Sequence, residues 1–331
     1  MKKRRYEALD GLRAFSCIGI VMMHVLSNGK YQLEGFIFDS IIHSFTDFVF
    51  LFMTISAFGM CCGYYDRFSS GNIDLVAFYK KRYVKILPFF SLLCLLDIAM
   101  SPSLNALYET IANLTLCFGF IPNANITVIG VGWFLGVVFA FYIMFPFYCS
   151  LLSNRKKAWI VLVISYVMNY LCRVRFDADR TSIVYCFVYF VVGGLVFLYH
   201  DELCGLKGVK WISLIVAIIS ALSYYFVMSG TPIKLLFSAA ILIFSISLDG
   251  KNVLNNRFTK FVGGISFEIY LCHMVIFRCV ERVHLLRLFN NDYLNYALSV
   301  LLVFGGAVFL AVIAQKAISM MNSRIQLGNR D

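Results

Sequence analysis

Ten apolar runs, each near the roughly 20 residues needed to cross a bilayer, alternate with short polar loops along the chain. They fall at residues 10–28, 41–63, 85–101, 128–152, 157–174, 182–200, 209–228, 231–249, 261–279 and 294–318. The pattern predicts an all-α, polytopic integral membrane protein of about ten transmembrane helices. A further apolar stretch at 108–121 is too short to cross and reads as interfacial or re-entrant. The sequence carries no internal repeat, no low-complexity tract and no loop long enough for a soluble appendage, so residues 1–331 read as one membrane-embedded domain.

Charge orients the predicted bundle. With the basic run Lys2–Lys3–Arg4–Arg5 in the cytoplasm, alternation places Lys80–Lys81–Arg82, Lys85, Arg155–Lys156–Lys157, Lys207, Lys210, Lys251, Arg257, Lys260 and the tail at 316–330 on the same side. About twenty of the 29 Lys and Arg residues then lie inside, as the positive-inside rule requires, with both termini cytoplasmic. Composition agrees: 60% of residues are hydrophobic, only 14% charged, and 33 Phe with 19 Tyr suit lipid and its interfaces. The net charge of +11 therefore marks cytoplasmic loops and not a nucleic-acid partner. No small-residue cleavage pattern follows Met22–Met23–His24, so the first run reads as a retained helix. The 11 Cys are scattered through apolar runs without ligand spacing and read as packing residues; no metal site is expected.

Ionisable groups at membrane depth are expensive to keep, and they single out three places. On the first span, Asp10 and Arg13 are an i, i+3 pair, while Arg13 and His24, eleven positions apart, share a helix face within roughly 20° yet lie about 16 Å apart. They line one track without touching. On the ninth span Ser266, Tyr270 and His273 follow i, i+4, i+7 and share a face, whereas Glu268 points nearly the opposite way and must meet another helix, a cavity or a proton. Ahead of the third span, Arg82 and Lys85 in Lys80–Lys81–Arg82–Tyr83–Val84–Lys85 read either as a plain cytoplasmic anchor, with Pro88 in the first helical turn, or as a cradle for a phosphorylated donor. On the opposite side Arg173, Arg175 and Arg180, and Arg278, Arg282 and Arg287, break the charge pattern. They fit snorkelling to lipid headgroups or, for Arg173, Arg175, Arg278 and Arg282, contact with an anionic acceptor. His43 and His200, near span ends, receive no role.

Leu9–Asp10–Gly11–Leu12–Arg13 with His24 resembles the R-x10-H signature of membrane acyltransferase family three, which includes bacterial O-acyltransferases of cell-surface and exported glycans. Four further pieces agree in order: Phe50–Leu51–Phe52 with Ser56–Ala57–Phe58, residues 82–88, Trp133–Phe134–Leu135 with Tyr142 and Pro146, and residues 266–273. Ala57 departs from the usual glycine, and Val138 stands where many relatives carry glutamate. The resemblance implies a multi-pass enzyme of the bacterial plasma membrane that moves an acyl group, acetyl by default, from cytoplasmic acyl-coenzyme A to a hydroxyl of a glycan or lipid-linked glycan. The resemblance implies no tightly bound cofactor. On this expectation His24 is the general base, Arg13 and Asp10 complete the catalytic track, and Arg82 and Lys85 hold the donor. Ser56, Trp133, Tyr142, Ser266, Glu268, Tyr270 and His273 support the pocket. The competing class is a transporter or flippase that uses the same buried charges as a translocation path.

Overall fold

The computed structural model describes residues 6–121, 126–248 and 250–328. The basic run at 2–5 and the last residues of the tail, on which the orientation leans, lie outside the described residues. Each apolar run folds into a helix, because a chain in hydrocarbon must satisfy its backbone polar groups within itself. The helices are α1 (Ala8–Asn28), α2 (Phe48–Ser69), α3 (Leu75–Met100), α4 (Leu104–Leu114), α5 (Trp133–Leu151), α6 (Arg155–Val174), α7 (Ile183–Leu198), α8 (His200–Gly205), α9 (Val209–Phe226), α10 (Thr231–Ile246), α11 (Arg257–Gly264), α12 (Ser266–Arg282) and α13 (Asp292–Gly328). The described residues contain no strand beyond an isolated Asn252–Asn255 bridge.

Seven helical segments are long and apolar enough to cross a bilayer, among them Ile37–Ser69, which extends α2 back through a π-helical and a 3-10 turn. The count becomes eight when α11 and α12, bent by 70° at their junction, are taken as one broken span. The two remaining predicted spans are α7 and α10, with 16 residues each, about 24 Å against a hydrocarbon core of about 30 Å. The protein is thus an all-helical polytopic membrane protein.

Helix starts follow local chemistry. Asp74, Ser103, Asn154 and Ser182 each accept from a backbone N–H of the first turn, and Asn256 forms a capping box with Thr259. The Asp74 cap corrects one expectation: α3 begins at Leu75, so Pro88 lies in the helix interior and not in its first turn. The short stretch after α3 becomes α4, whose Leu104, Leu107, Tyr108 and Ile111 form one exposed apolar stripe, the pattern of an interfacial helix. Glu109 of α4 accepts from the backbone N–H groups of Thr127 and Val128 and from the Thr127 hydroxyl, which ties the 126–128 segment down.

The centre of the bundle is set by close backbone approaches. A Cβ on Gly11 would run into the backbone of Leu254, and one on Gly263 into the backbone of Asp10, so the start of α1 sits directly against α11. Gly193 of α7 approaches the backbone of α2 at Thr54 in the same way. A Cβ there would also come within 2.9 Å of the Ala57 Cβ, so α7 supplies the room that the expected glycine at 57 would have given.

Candidate active site

Helices α1 and α12 run side by side, parallel and in register. The Cys17 thiol donates to the Ser266 carbonyl, and two turns higher His24 meets His273, both pairs 249 positions apart in sequence. Registry brings the two predicted polar tracks together. Arg13 starts the lower end, paired with Asp10 at 3.0 Å.

That lower end opens into a cavity of about 470 Å³ between α1, α2, α3, α5 and α12. Asp10, Arg13, Ser56, Tyr142, Ser266 and Tyr270 line it, as do Arg82 and Lys85, so eight of the sequence-predicted residues share one chamber. Val138, in place of the expected acid, gives the wall an apolar patch. Arg82 is buried and caged: its guanidinium lies 3.8 Å over the Phe78 ring and 4.3 Å over Tyr64, donates to the Phe78 carbonyl at 3.0 Å, and reaches the Met60 sulfur at 3.3 Å. A headgroup anchor would extend to the surface; Arg82 instead holds a fixed charge at the chamber wall, with Lys81 and Lys85 beside it.

The roof of the chamber is Tyr270. Its hydroxyl donates to the Val131 carbonyl at 3.0 Å, and its ring lies 5.1 Å from Phe134 and 5.8 Å from the His273 ring. Val131 belongs to a tight turn entered through Ile129, whose φ of 51° is the left-handed region that a β-branched residue rarely adopts. The strained turn thereby fixes both Tyr270 and Trp133, the first residue of α5.

Beyond Tyr270 stand the histidines. His273 is fully buried, its Nδ1 is 2.6 Å from the Tyr270 carbonyl, and its Nε2 is 3.1 Å from Nδ1 of His24. His24 Nδ1 also lies 3.1 Å from the Ile20 carbonyl. For neutral rings these contacts assign the protons, because a carbonyl can only accept. His273 Nδ1–H donates to Tyr270, leaving Nε2 as an acceptor. His24 Nδ1–H is shared between Ile20 and His273. The lone pair of His24 Nε2 is then the free basic site, held by contacts on the other side of the ring.

The remaining predicted residues lie elsewhere. Glu268 leaves the shared face, as its position requires, and accepts from Gln315 of α13 at 2.8 Å. Trp133 lies outside the chamber, with the Arg180 guanidinium 5.2 Å over its ring. Arg173 lines an outer cleft, and Arg175 is exposed. Arg278 is committed to Asp97 of α3 as an ion pair, and Arg282 donates to the Met100 carbonyl at 2.8 Å, so both tie α12 to α3. Sequence reasoning passed over Asp97, Asp47 and Lys234. Each was a charge inside an apolar run, which was the available signal, and each is paired across helices: Lys234 with Asp47 at 2.8 Å. Among the described residues no cluster of His, Cys, Asp or Glu has the geometry to hold a metal.

Fold and site together define a helical membrane protein with a cationic chamber below a pair of histidines, one buried and one half-buried. A family model described as an acyltransferase domain matches residues 6–316, essentially the whole chain. The protein belongs to that family, membrane acyltransferase family three, and the match supports acyltransferase activity in a multi-pass membrane protein. Neither curated proteins nor solved structures give a match.

Proposed function

We propose that this protein is an O-acyltransferase of the bacterial cell membrane, with about ten spans and cytoplasmic termini, that moves an acyl group from cytoplasmic acyl-coenzyme A to a hydroxyl of an exported or cell-surface glycan. The observation that carries the reading is a cationic chamber at the lower end of the α1–α12 track whose upper end holds His24, with its Nδ1 engaged by Ile20 and His273. Arg82 and Lys85 are suited to the phosphates of the donor, because fixed guanidinium and ammonium groups form charge-assisted bonds to phosphate oxygens. The thioester then points up the α1–α12 track past Arg13 toward Tyr270. Acetyl is the acyl group that the family resemblance suggests.

The step balances without a further reactant. The acceptor hydroxyl oxygen attacks the thioester carbonyl carbon while His24 Nε2 takes its proton; the C–S bond breaks, and the proton passes on to the departing thiolate, giving an ester and free coenzyme A. His24 Nδ1–H stays on its ring throughout, bonded to Ile20 and His273.

Purified protein supplied with labelled acyl-coenzyme A and glycan tests the reading. Transfer of label to the glycan is expected, with a matching mass increase on the surface glycan of cells that carry the protein. His24→Ala is expected to abolish transfer while donor binding and yield of folded protein persist. Full transfer by that variant removes His24 from the mechanism, and glycan entering vesicles unmodified favours a transporter.

A further inference from the structure

Four residues of α2, each one turn from the next, climb the chamber wall from mouth to roof: Tyr64, Met60, Ser56 and Phe52. Between Tyr64 and Phe52 the helix rises about 18 Å. Charge marks the lower end of this ladder, where the Arg82 guanidinium lies 4.3 Å over the Tyr64 ring with Lys81 and Lys85 in the same wall. Rings mark the upper end. Phe52 lies 6.0 Å from Phe134 and 6.5 Å from Tyr270, and those two rings are 5.1 Å apart. Because the Tyr270 hydroxyl is committed to the Val131 carbonyl, this layer meets whatever rises through the chamber with hydrocarbon alone.

Between its two ends the lining changes character. A Cβ on Gly59 would lie 3.6 Å from Nη2 of Arg13, which sets that guanidinium about midway up the α2 ladder. Hydroxyls accompany it: Ser56 on α2, Ser266 one turn below Tyr270 on α12, and Tyr142 two turns below Phe134 on α5. Val138, one turn below Phe134, keeps the upper wall apolar. From mouth to roof the order is therefore cations, hydrogen-bonding groups, hydrocarbon. An acyl-coenzyme A entering from the cytoplasm has the same order: phosphates, an amide-bearing arm, then the thioester with its acyl chain.

Length turns this order into a measure. From its phosphate to its sulfur the pantetheine arm counts about twelve bonds, as many as four extended residues, or about 14 Å. Of the rise between Arg82 and the ring layer, about 4 Å then remains beyond the sulfur, the span of roughly three more bonds. The thioester bond and the two carbon–carbon bonds of a propionyl group use it up. We infer that the chamber is a ruler for the acyl group: with the donor phosphates at Arg82 and Lys85, the layer of Phe52, Phe134 and Tyr270 stops the chain at two or three carbons. This rests on the transfer reading above and adds which residues limit the group transferred.

The test is a series of acetyl-, propionyl-, butyryl- and hexanoyl-coenzyme A given to the full-length protein in nanodiscs, with kcat/KM for transfer and affinity by calorimetry measured for each. The unaltered protein is expected to use acetyl and propionyl, to use butyryl at least tenfold less well, and to use hexanoyl less well again. Phe52→Ala opens the layer and should raise the butyryl-to-acetyl ratio by about tenfold. Phe134→Leu should move it the same way, and Val138→Phe, which lowers the stop by a turn, should reduce the propionyl-to-acetyl ratio. A ratio taken within one preparation is unaffected by loss of folded protein, and the unaltered protein decides the matter alone where a variant does not fold. Hexanoyl used as well as acetyl overturns the inference, as do ratios that stay fixed in the folded variants. Absence of transfer from every donor overturns the transfer reading instead; the affinities then judge the ruler, which requires hexanoyl-coenzyme A to bind at least tenfold more weakly than acetyl-coenzyme A and is overturned by equal binding.

Discussion

Replacing His273 isolates what the second histidine does for the first. In the proposed step His24 becomes an imidazolium, and its Nδ1–H bond to the lone pair of His273 Nε2, 3.1 Å away, strengthens as that charge forms. A hydrogen bond to a charged group contributes about 1.5–3 kcal/mol, so its loss should lower kcat by about 10- to 150-fold. The structure also sets a ceiling. The Ile20 carbonyl, 3.1 Å from the same nitrogen, continues to hold His24 in the correct tautomer, so the far larger loss that follows a wrong tautomer is not expected. His273→Ala should therefore reduce kcat within that range, with KM for acyl-coenzyme A unchanged because the chamber ends at Tyr270. His273→Gln places an amide oxygen near the Nε2 position and should recover part of the loss. His273→Asn keeps only a donor toward the Tyr270 carbonyl and should behave like Ala. The assay is initial-rate transfer of labelled acyl groups by detergent-purified protein, with thermal unfolding measured in parallel. Equal losses in Gln, Asn and Ala that track unfolding temperature would reduce His273 to a packing residue, and an unchanged kcat would remove it altogether.

Three further outcomes follow from the same geometry. Arg82→Lys loses the cage of Phe78 and Tyr64 and both directed hydrogen bonds, and should raise KM for acyl-coenzyme A by about tenfold or more while kcat at saturation holds; an unchanged KM argues against donor phosphates at that wall. Asp97→Asn should destabilise the protein by about 1.5–3 kcal/mol by leaving Arg278 without its carboxylate, and Asp97→Asn with Arg278→Gln should recover part of it, both read from thermal unfolding. Gly263→Ala drives a methyl into the backbone of Asp10 and should cost about 1–3 kcal/mol, seen as a lower yield of monodisperse protein; wild-type behaviour would mean that α1 and α11 sit farther apart than described here.

The bundle was legible in the chain because hydrocarbon allows so few solutions: each of the ten apolar runs became helical, although α3 starts ten residues before its predicted place and the ninth run is two helices bent at their junction. The chamber was legible for a related reason, since periodicity placed Arg13 below His24, and Ser266 and Tyr270 on one face of their helix, before any packing was known. Pairing between helices was not. Nothing local states that Asp47 meets Lys234 or that Asp97 meets Arg278, because each partner lies more than 180 positions away in sequence. The arginines at 278 and 282 looked like free outward charges for the same reason; their acceptors belong to α3. The interior position of Pro88 was missed because the helix start is set by Asp74, a polar residue outside the apolar run.

The track also bears on whether the acyl group is passed through the enzyme. Between Arg13 and His24 the same face of α1 carries Cys17, four residues above the arginine and seven below the histidine, the place where a covalent relay would need its nucleophile. Its thiol is fully buried and directed at the Ser266 carbonyl, 3.5 Å away, in the seam between α1 and α12, and it does not line the chamber. A nucleophile is made by an adjacent base, and the imidazole two turns higher is already bonded to Ile20 and His273. With Cys17 so placed, and the Tyr270 hydroxyl committed to the Val131 carbonyl, the arrangement favours a single transfer in which donor and acceptor are bound together.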